Sequence, residues 1–81
     1  MSYEVKLPQL SMGMSDAEVL EWLVEPGMRV SEGDDLVEVE AEKAAAIVPS
    51  PVSGTVTELK AEEGETVEVR AVLCIIAPDA S

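Results

Sequence analysis

Histidine and phenylalanine are both absent from the 81 residues of the chain. Without imidazole there is no histidine general base, no serine-protease type of triad and no histidine ligand for zinc, which removes most hydrolytic chemistry. Tyr3 and Trp22 are the only aromatics, so the stacking platforms used by readers of single-stranded nucleic acid are missing. Basic residues number 5 against 17 acidic ones, a formal charge of −12. Phosphate backbones and anionic lipid headgroups repel such a chain, and neither nucleic acid nor a membrane surface is an expected partner. Cys74 is the lone thiol. It excludes an internal disulfide and suits a reducing compartment, the cytoplasm by default or the mitochondrial matrix if a presequence has been removed. The longest apolar runs, Ala71 to Ala77 and Ala44 to Val48, are far too short to span a bilayer, and Met-Ser-Tyr-Glu has neither the basic nor the apolar region of a signal peptide.

What the chain does have is 47% hydrophobic residues, enough to build a core and unlike a disordered acidic tail. Its length allows one domain. Turn signals recur at short intervals: Pro26-Gly27, Gly33-Asp34, Pro49-Ser50-Pro51, Ser53-Gly54 and Glu62-Glu63-Gly64-Glu65. Short strands at that spacing predict an all-β sandwich or barrel. Val37, Val39 and Ala41 alternate with Glu38, Glu40 and Glu42, the period of a strand with one dry and one wet face. Val56 with Leu59, Val67 with Val69, and Val72 to Ile76 read as further strands, the last apolar enough to be covered on both sides.

Ser15 and Glu18 form a capping box ahead of Val19, Leu20, Trp22 and Leu23, so a helix competes for this segment. An internal repeat favours a strand. Shifting the sequence by 37 places Val19, Glu21, Glu25, Gly27, Val30 and Leu36 on Val56, Glu58, Glu62, Gly64, Val67 and Leu73. The second copy, Val-Thr-Glu-Leu-Lys, carries no capping signal, and its partner from about Glu18 to Val24 is read as a strand too. Two such halves pack most simply about a pseudo-two-fold axis. Matching Leu7-Pro8 to Val48-Pro49 makes the turn at Lys43 equivalent to the place where the chain ends meet and sets it opposite the termini.

Lys43 lies between the alternating strand and the apolar Ile47-Val48, at an expected hairpin tip. A solvated turn lysine is the ordinary reading, and a short helix over Ala41 to Ala46 is a second, because alanine favours helix. The functional reading is a lysine acylated by a modifying enzyme, which must remove a proton before the amine attacks an activated acyl group. Lys6 and Lys60 fall within predicted strands and are expected to be less accessible. Asp34-Asp35 and Glu62-Glu63 lack the ligand spacing of an EF-hand loop and read as solvated turns. Cys74, among Val72, Leu73, Ile75 and Ile76, reads as a core residue. Met12-Gly13-Met14 reads as a surface loop or a soft contact patch.

Residues Gly33-Asp34-Asp35-Leu36-Val37-Glu38-Val39-Glu40-Ala41-Glu42-Lys43-Ala44, then Val48-Pro49-Ser50-Pro51-Val52-Ser53-Gly54-Thr55-Val56, resemble the lipoyl domain of 2-oxo acid dehydrogenase acyltransferases, in the biotinyl/lipoyl attachment family. Leu7 to Met14 resembles that family's opening segment. The resemblance implies a flattened β-barrel, a barrel-sandwich hybrid of two four-stranded antiparallel sheets with pseudo-two-fold symmetry. It spans residues 1–77, with 78–81 a tail or the start of a linker. It implies a non-catalytic, swinging-arm carrier with lipoate attached to Lys43, flanked in the turn by Glu42 and Ala44. The implied partners are a lipoate ligase or lipoyl transferase, a thiamine-diphosphate-dependent decarboxylase, the acyltransferase core and dihydrolipoyl dehydrogenase, with the isolated domain monomeric. Two departures stand out: the family's usual Thr-Asp before the lysine is Ala41-Glu42, and Ala45-Ala46 replace larger side chains. Biotin carriers typically flank their lysine with Met, so Glu42 and Ala44 favour lipoate. A biotin carboxyl carrier, an unmodified lipoyl-like structural module and a small acidic binding protein are the alternatives.

Overall fold

The computed structural model describes residues 2–9 and 12–79. Among them, eight strands run in chain order: β1 (Tyr3–Lys6), β2 (Asp16–Trp22), β3 (Arg29–Val30), β4 (Asp35–Ala41), β5 (Ala44–Pro49), β6 (Gly54–Leu59), β7 (Thr66–Glu68) and β8 (Val72–Pro78). They form two four-stranded sheets, ordered β1-β8-β6-β3 and β5-β4-β2-β7, with every pairing antiparallel. This is the expected fold class. The segment Asp16–Trp22 is a strand and not a helix, because β2 is clamped on both sides: Glu18 faces Glu40 of β4 and Thr66 of β7. Its bounds, Asp16–Trp22, lie two residues before the expected Glu18–Val24. No helix occurs among the described residues, so none there is long enough to cross a membrane. Leu10 and Ser11 of the opening segment and the final Ala80 and Ser81 lie outside the described residues. β8 runs through Pro78, and Asp79 donates its N–H to Ser53 O at 2.9 Å and pairs with Arg29.

The repeat is written into the backbone hydrogen bonds, with 64 − 27 = 37 as the shift. Gly27 N–H donates to Val56 O as Gly64 N–H does to Val19 O, both at 2.7 Å. Leu23 to Leu36 is mirrored by Lys60 to Leu73, and Met28 to Glu25 by Glu65 to Glu62. Gly33 and Arg70 occupy the same place, with φ of 93° and 76°; glycine bears that left-handed conformation without strain and arginine does not. The first strands are related differently from the expected match. Ser50 donates to Asp34 O as Leu7 donates to Ala71 O, which pairs Leu7 with Ser50 and Pro8 with Pro51 rather than with Val48 and Pro49. Sequence similarity between these short strands is too slight to set register; the ladder sets it.

The core lies between the sheets. Val19, Leu36, Val37 and Val39 of one sheet meet Val56, Leu73, Cys74 and Ile76 of the other, all without solvent exposure. Each fully buried Val, Leu or Ile contributes about 1.5–3 kcal/mol. Leu36 with Val37, and Leu73 with Cys74, are consecutive yet both buried, against the strand period of two. A bulge accompanies each pair, between Asp35 and Val37 and between Val5 and Lys6, and turns the extra residue inward. Trp22 closes one end: its Nε1–H donates to Ala61 O and its N–H to Glu63 Oε2, both at 2.9 Å.

Charge is divided between the sheets. Strands β2, β4, β5 and β7 carry no lysine or arginine, while Lys6 and Arg29 lie in the other sheet and Lys60 follows its β6 strand. Register sets carboxylates directly opposite one another: Asp16 and Glu68, Glu18 and Glu40, Glu21 and Glu38. Facing like charges destabilise a ladder, and salt screens them. Raising sodium chloride from 10 mM to 0.5 M is therefore expected to raise the melting temperature by about 5 °C. A melting temperature independent of salt would show that these pairs do not repel measurably.

Candidate functional site

The most strongly specified turn carries Lys43. Ala41 and Ala44 pair as the last rung of the β4–β5 ladder, leaving Glu42 and Lys43 as a two-residue connection. Both have positive φ, 53° and 66°, the signature of a type I′ turn, whose twist matches that of the flanking strands. Asn-Gly is the sequence that adopts this turn at least cost, and Glu-Lys is a poor one, since each non-glycine residue in that conformation costs about 1–2 kcal/mol. The ladder enforces it. Inward Val39 and Val48 anchor the two strands in the core, and six registered pairs from Asp35–Pro49 to Ala41–Ala44 fix the hairpin end. Backbone strain of this kind clusters at functional sites. Glu42→Asn is expected to stabilise the fold by about 0.5–1 kcal/mol, read as a rise in melting temperature of about 5 °C. An unchanged or lower value would mean that the interactions of the Glu42 side chain outweigh the relief of strain.

Glu42, Lys43 and Ala44 are all exposed. Lys43 forms no hydrogen bond or ion pair among the described residues, whereas Lys60 pairs with Glu58 at 3.0 Å. Lys6 and Lys60 are exposed as well, which corrects the expectation that strand placement hides them; Lys60 in fact follows β6. What sets Lys43 apart is its place at a hairpin tip, in a positive-φ turn beyond the last rung of the ladder. An exposed amine at the end of a registered two-strand ladder fits a covalently attached acyl group. By the pseudo-two-fold, this hairpin corresponds to the meeting of β8 with β1.

The remaining candidates are absorbed by the fold. Asp34 Oδ2 accepts from Ser31 N–H and Glu65 Oε1 from Glu62 N–H, each at 2.9 Å, so these carboxylates close their own turns. Burial pushes the Cys74 thiol up to about 11, leaving little thiolate for nucleophilic attack at neutral pH. Met14 is buried and Met12 is 97% exposed, so the two methionines divide between core and surface. The sequence reading missed the free edge of β5; its signal was the uncharged run Ala44 to Val48.

The biotin/lipoyl family, described as "Biotin-requiring enzyme", matches residues 3–76. A dihydrolipoyllysine-residue acetyltransferase component of the pyruvate dehydrogenase complex from Bacillus subtilis is 45% identical over 69 residues, covering 85% of this chain and 16% of that protein. The component of the same name from Staphylococcus aureus is 42% identical over 81 residues, covering 99% of this chain and 19% of that protein. The chain thus spans less than a fifth of the length of these relatives. Among solved structures, the lipoyl domain of the 2-oxoglutarate dehydrogenase complex from Azotobacter vinelandii superposes with a TM-score of 0.77 at 25% identity, covering 95% of this chain and 98% of that one. A single-chain, multi-domain long-chain acyl-CoA carboxylase shares the fold, with a TM-score of 0.82 at 16% identity over 99% of this chain and 7% of that one. A lysine hairpin on a two-fold β-sandwich, together with a family match over residues 3–76 and these likenesses, shows that the chain belongs to the biotin/lipoyl attachment family.

Proposed function

We propose that Lys43 carries lipoate in amide linkage and that the domain shuttles acyl groups and reducing equivalents within a 2-oxo acid dehydrogenase complex, of the pyruvate type. One observation carries this reading: Lys43 stands on a strained two-residue turn held by the β4–β5 ladder. The relatives named as acetyltransferase components of the pyruvate dehydrogenase complex support the choice of complex. A lipoate ligase or lipoyl transferase attaches the group. A thiamine-diphosphate-dependent decarboxylase, the acyltransferase core and dihydrolipoyl dehydrogenase then use it in turn. Lipoate, when bound, supplies a dithiolane at the end of a long arm, and the chemistry belongs to that group. The chain's own residues hold the attachment point away from the core and keep the backbone fixed, so that the tethered arm meets each active site at a high effective concentration. The domain takes in Pro78 and Asp79 as well as residues 1–77, because both are bonded into the fold, and it works in the cytoplasm as a monomeric module, a reading supported by the single buried Cys74 and the charge of −12.

Intact mass after incubation with lipoate ligase, ATP and lipoate, beside biotin ligase with biotin, tests the reading. A lipoyl-sized gain is expected with the first pair. A biotin-sized gain would make the domain a carboxyl carrier, and no gain with either on a folded sample would make it an unmodified structural module.

A further inference from the structure

The pseudo-two-fold gives the molecule an internal control at its sheet edges. β1 and β5 are equivalent edge strands: Tyr3, Glu4, Val5 and Lys6 pair with Ile76, Ile75, Cys74 and Val72, as Ala46, Ile47, Val48 and Pro49 pair with Val39, Glu38, Val37 and Asp35. Edge strands invite pairing with other chains, and charged residues on the edge are a common guard against it. β1 has that guard in Glu4 and Lys6. At the matching places β5 has Ile47 and Pro49, and its charges sit one strand inward, on Glu38 and Glu40 of β4. Ala44 to Val48 is thus an uncharged edge, with Ile47 39% exposed, and among the described residues its backbone bonds only to β4. It begins at the residue after Lys43.

We propose that this edge is the recognition strand for the enzyme that modifies Lys43, which adds an extended segment of its own to the sheet beside β5. The proposal rests on the reading of Lys43 as the attachment site. Strand addition fixes register to one residue, which is what an enzyme needs to bring one particular amine to an activated acyl group. The chemistry of the incoming strand follows from the exposed row. An apolar residue packs on Ile47, and an arginine or lysine reaches over the small Ala45 to Glu40, since neighbouring strands lie about 4.8 Å apart. A second copy of this chain is the other candidate occupant, but each copy brings a charge of −12, and pairing two of them places acidic faces in one continuous sheet. A basic, partly apolar strand matches in charge where a second copy does not.

Three measurements test the proposal. Ile47→Glu gives β5 the guard that β1 already has. It is expected to raise the KM of lipoate ligase for the domain at least tenfold with kcat nearly unchanged, while Glu4→Ile leaves both constants as they are. In the complex of unmodified domain and ligase, outward-facing amides within Ala44–Val48 are expected to exchange hydrogen at least tenfold more slowly, with Tyr3–Lys6 unaffected. Normal kinetics of a folded Ile47→Glu variant, on a background where wild-type Lys43 is lipoylated, would overturn this inference and leave the attachment site standing. Failure of the wild type to be modified would overturn both. Protection of Ala44–Val48 in the free domain, with a dimer by sedimentation, would assign the edge to a second copy and overturn it as well.

Discussion

Lys43→Arg is expected to abolish lipoyl attachment completely, with no mass gain at any ligase concentration, while the melting temperature stays within about 2 °C of the parent. The substitution keeps length, charge and exposure, so the hairpin has no reason to change. What it removes is the nucleophile: guanidinium stays protonated and delocalised at any working pH and presents no free amine lone pair. A gain on Lys6 or Lys60 in this variant would show that exposure, rather than the hairpin, selects the lysine, because both are exposed. Exchanging the two turn residues, as Glu42→Lys with Lys43→Glu, is a sharper test. The amine then remains in the same turn but one backbone position earlier. Attachment is expected to slow by a factor of about 100 or more, since a misplacement of about 1 Å costs that much when geometry is the main contribution. A rate close to that of the parent would mean that the enzyme follows a mobile side chain and does not read the turn.

Gly54→Val is expected to prevent folding, and Gly54→Ala to destabilise by about 3 kcal/mol, a fall in melting temperature of about 15 °C. Gly54 opens β6, faces Val30 of β3 on one side and Pro78 of β8 on the other, and is buried. A Cβ built there collides with the Ala77 carbonyl oxygen and lies 2.8 Å from Pro78 Cα and 2.9 Å from Ala77 C. All three are backbone atoms, so no rotamer change relieves the clash; β8 itself must move away. β8 is the centre of its sheet, paired with β1 and β6, and carries Leu73, Cys74 and Ile76 into the core. A domain of this size has total stability on the order of 4–12 kcal/mol, so the valine exceeds what the fold can absorb. Thermal unfolding followed by circular dichroism checks both variants. A Gly54→Ala protein as stable as the parent would show that β8 shifts at little cost.

The same residue shows how far sequence patterns reach. Ser53-Gly54 reads as a turn signal, yet Gly54 sits in a strand outside the left-handed region and is needed for a close approach between strands that nothing local announces. The alternation of Val37, Val39 and Ala41 with glutamates did announce a half-buried strand, because burial on one face imposes a period of two. The spacing shared by Gly27 and Gly64 announced the two-fold, because equivalent turns need equivalent backbone freedom. In each of these cases the constraint acts on residues adjacent in the chain, or on positions repeated along it.

Register, bulges and edges depend on partners distant in sequence. Ser15 with Glu18 satisfied the local requirements of a helix start, and pairing with β4 and β7 overrode them. Leu7-Pro8 is similar in chemistry to Val48-Pro49, yet the ladder makes Leu7 equivalent to Ser50. The sequence by itself thus determined an acidic, all-β, two-fold domain with a single lysine poised between two strands, because composition and periodicity act locally. Only the tertiary structure decided that this lysine would sit in a strained type I′ turn, that facing carboxylates would share one sheet, and that β5 would leave an uncharged edge beside Lys43; each arises from which strand lies next to which.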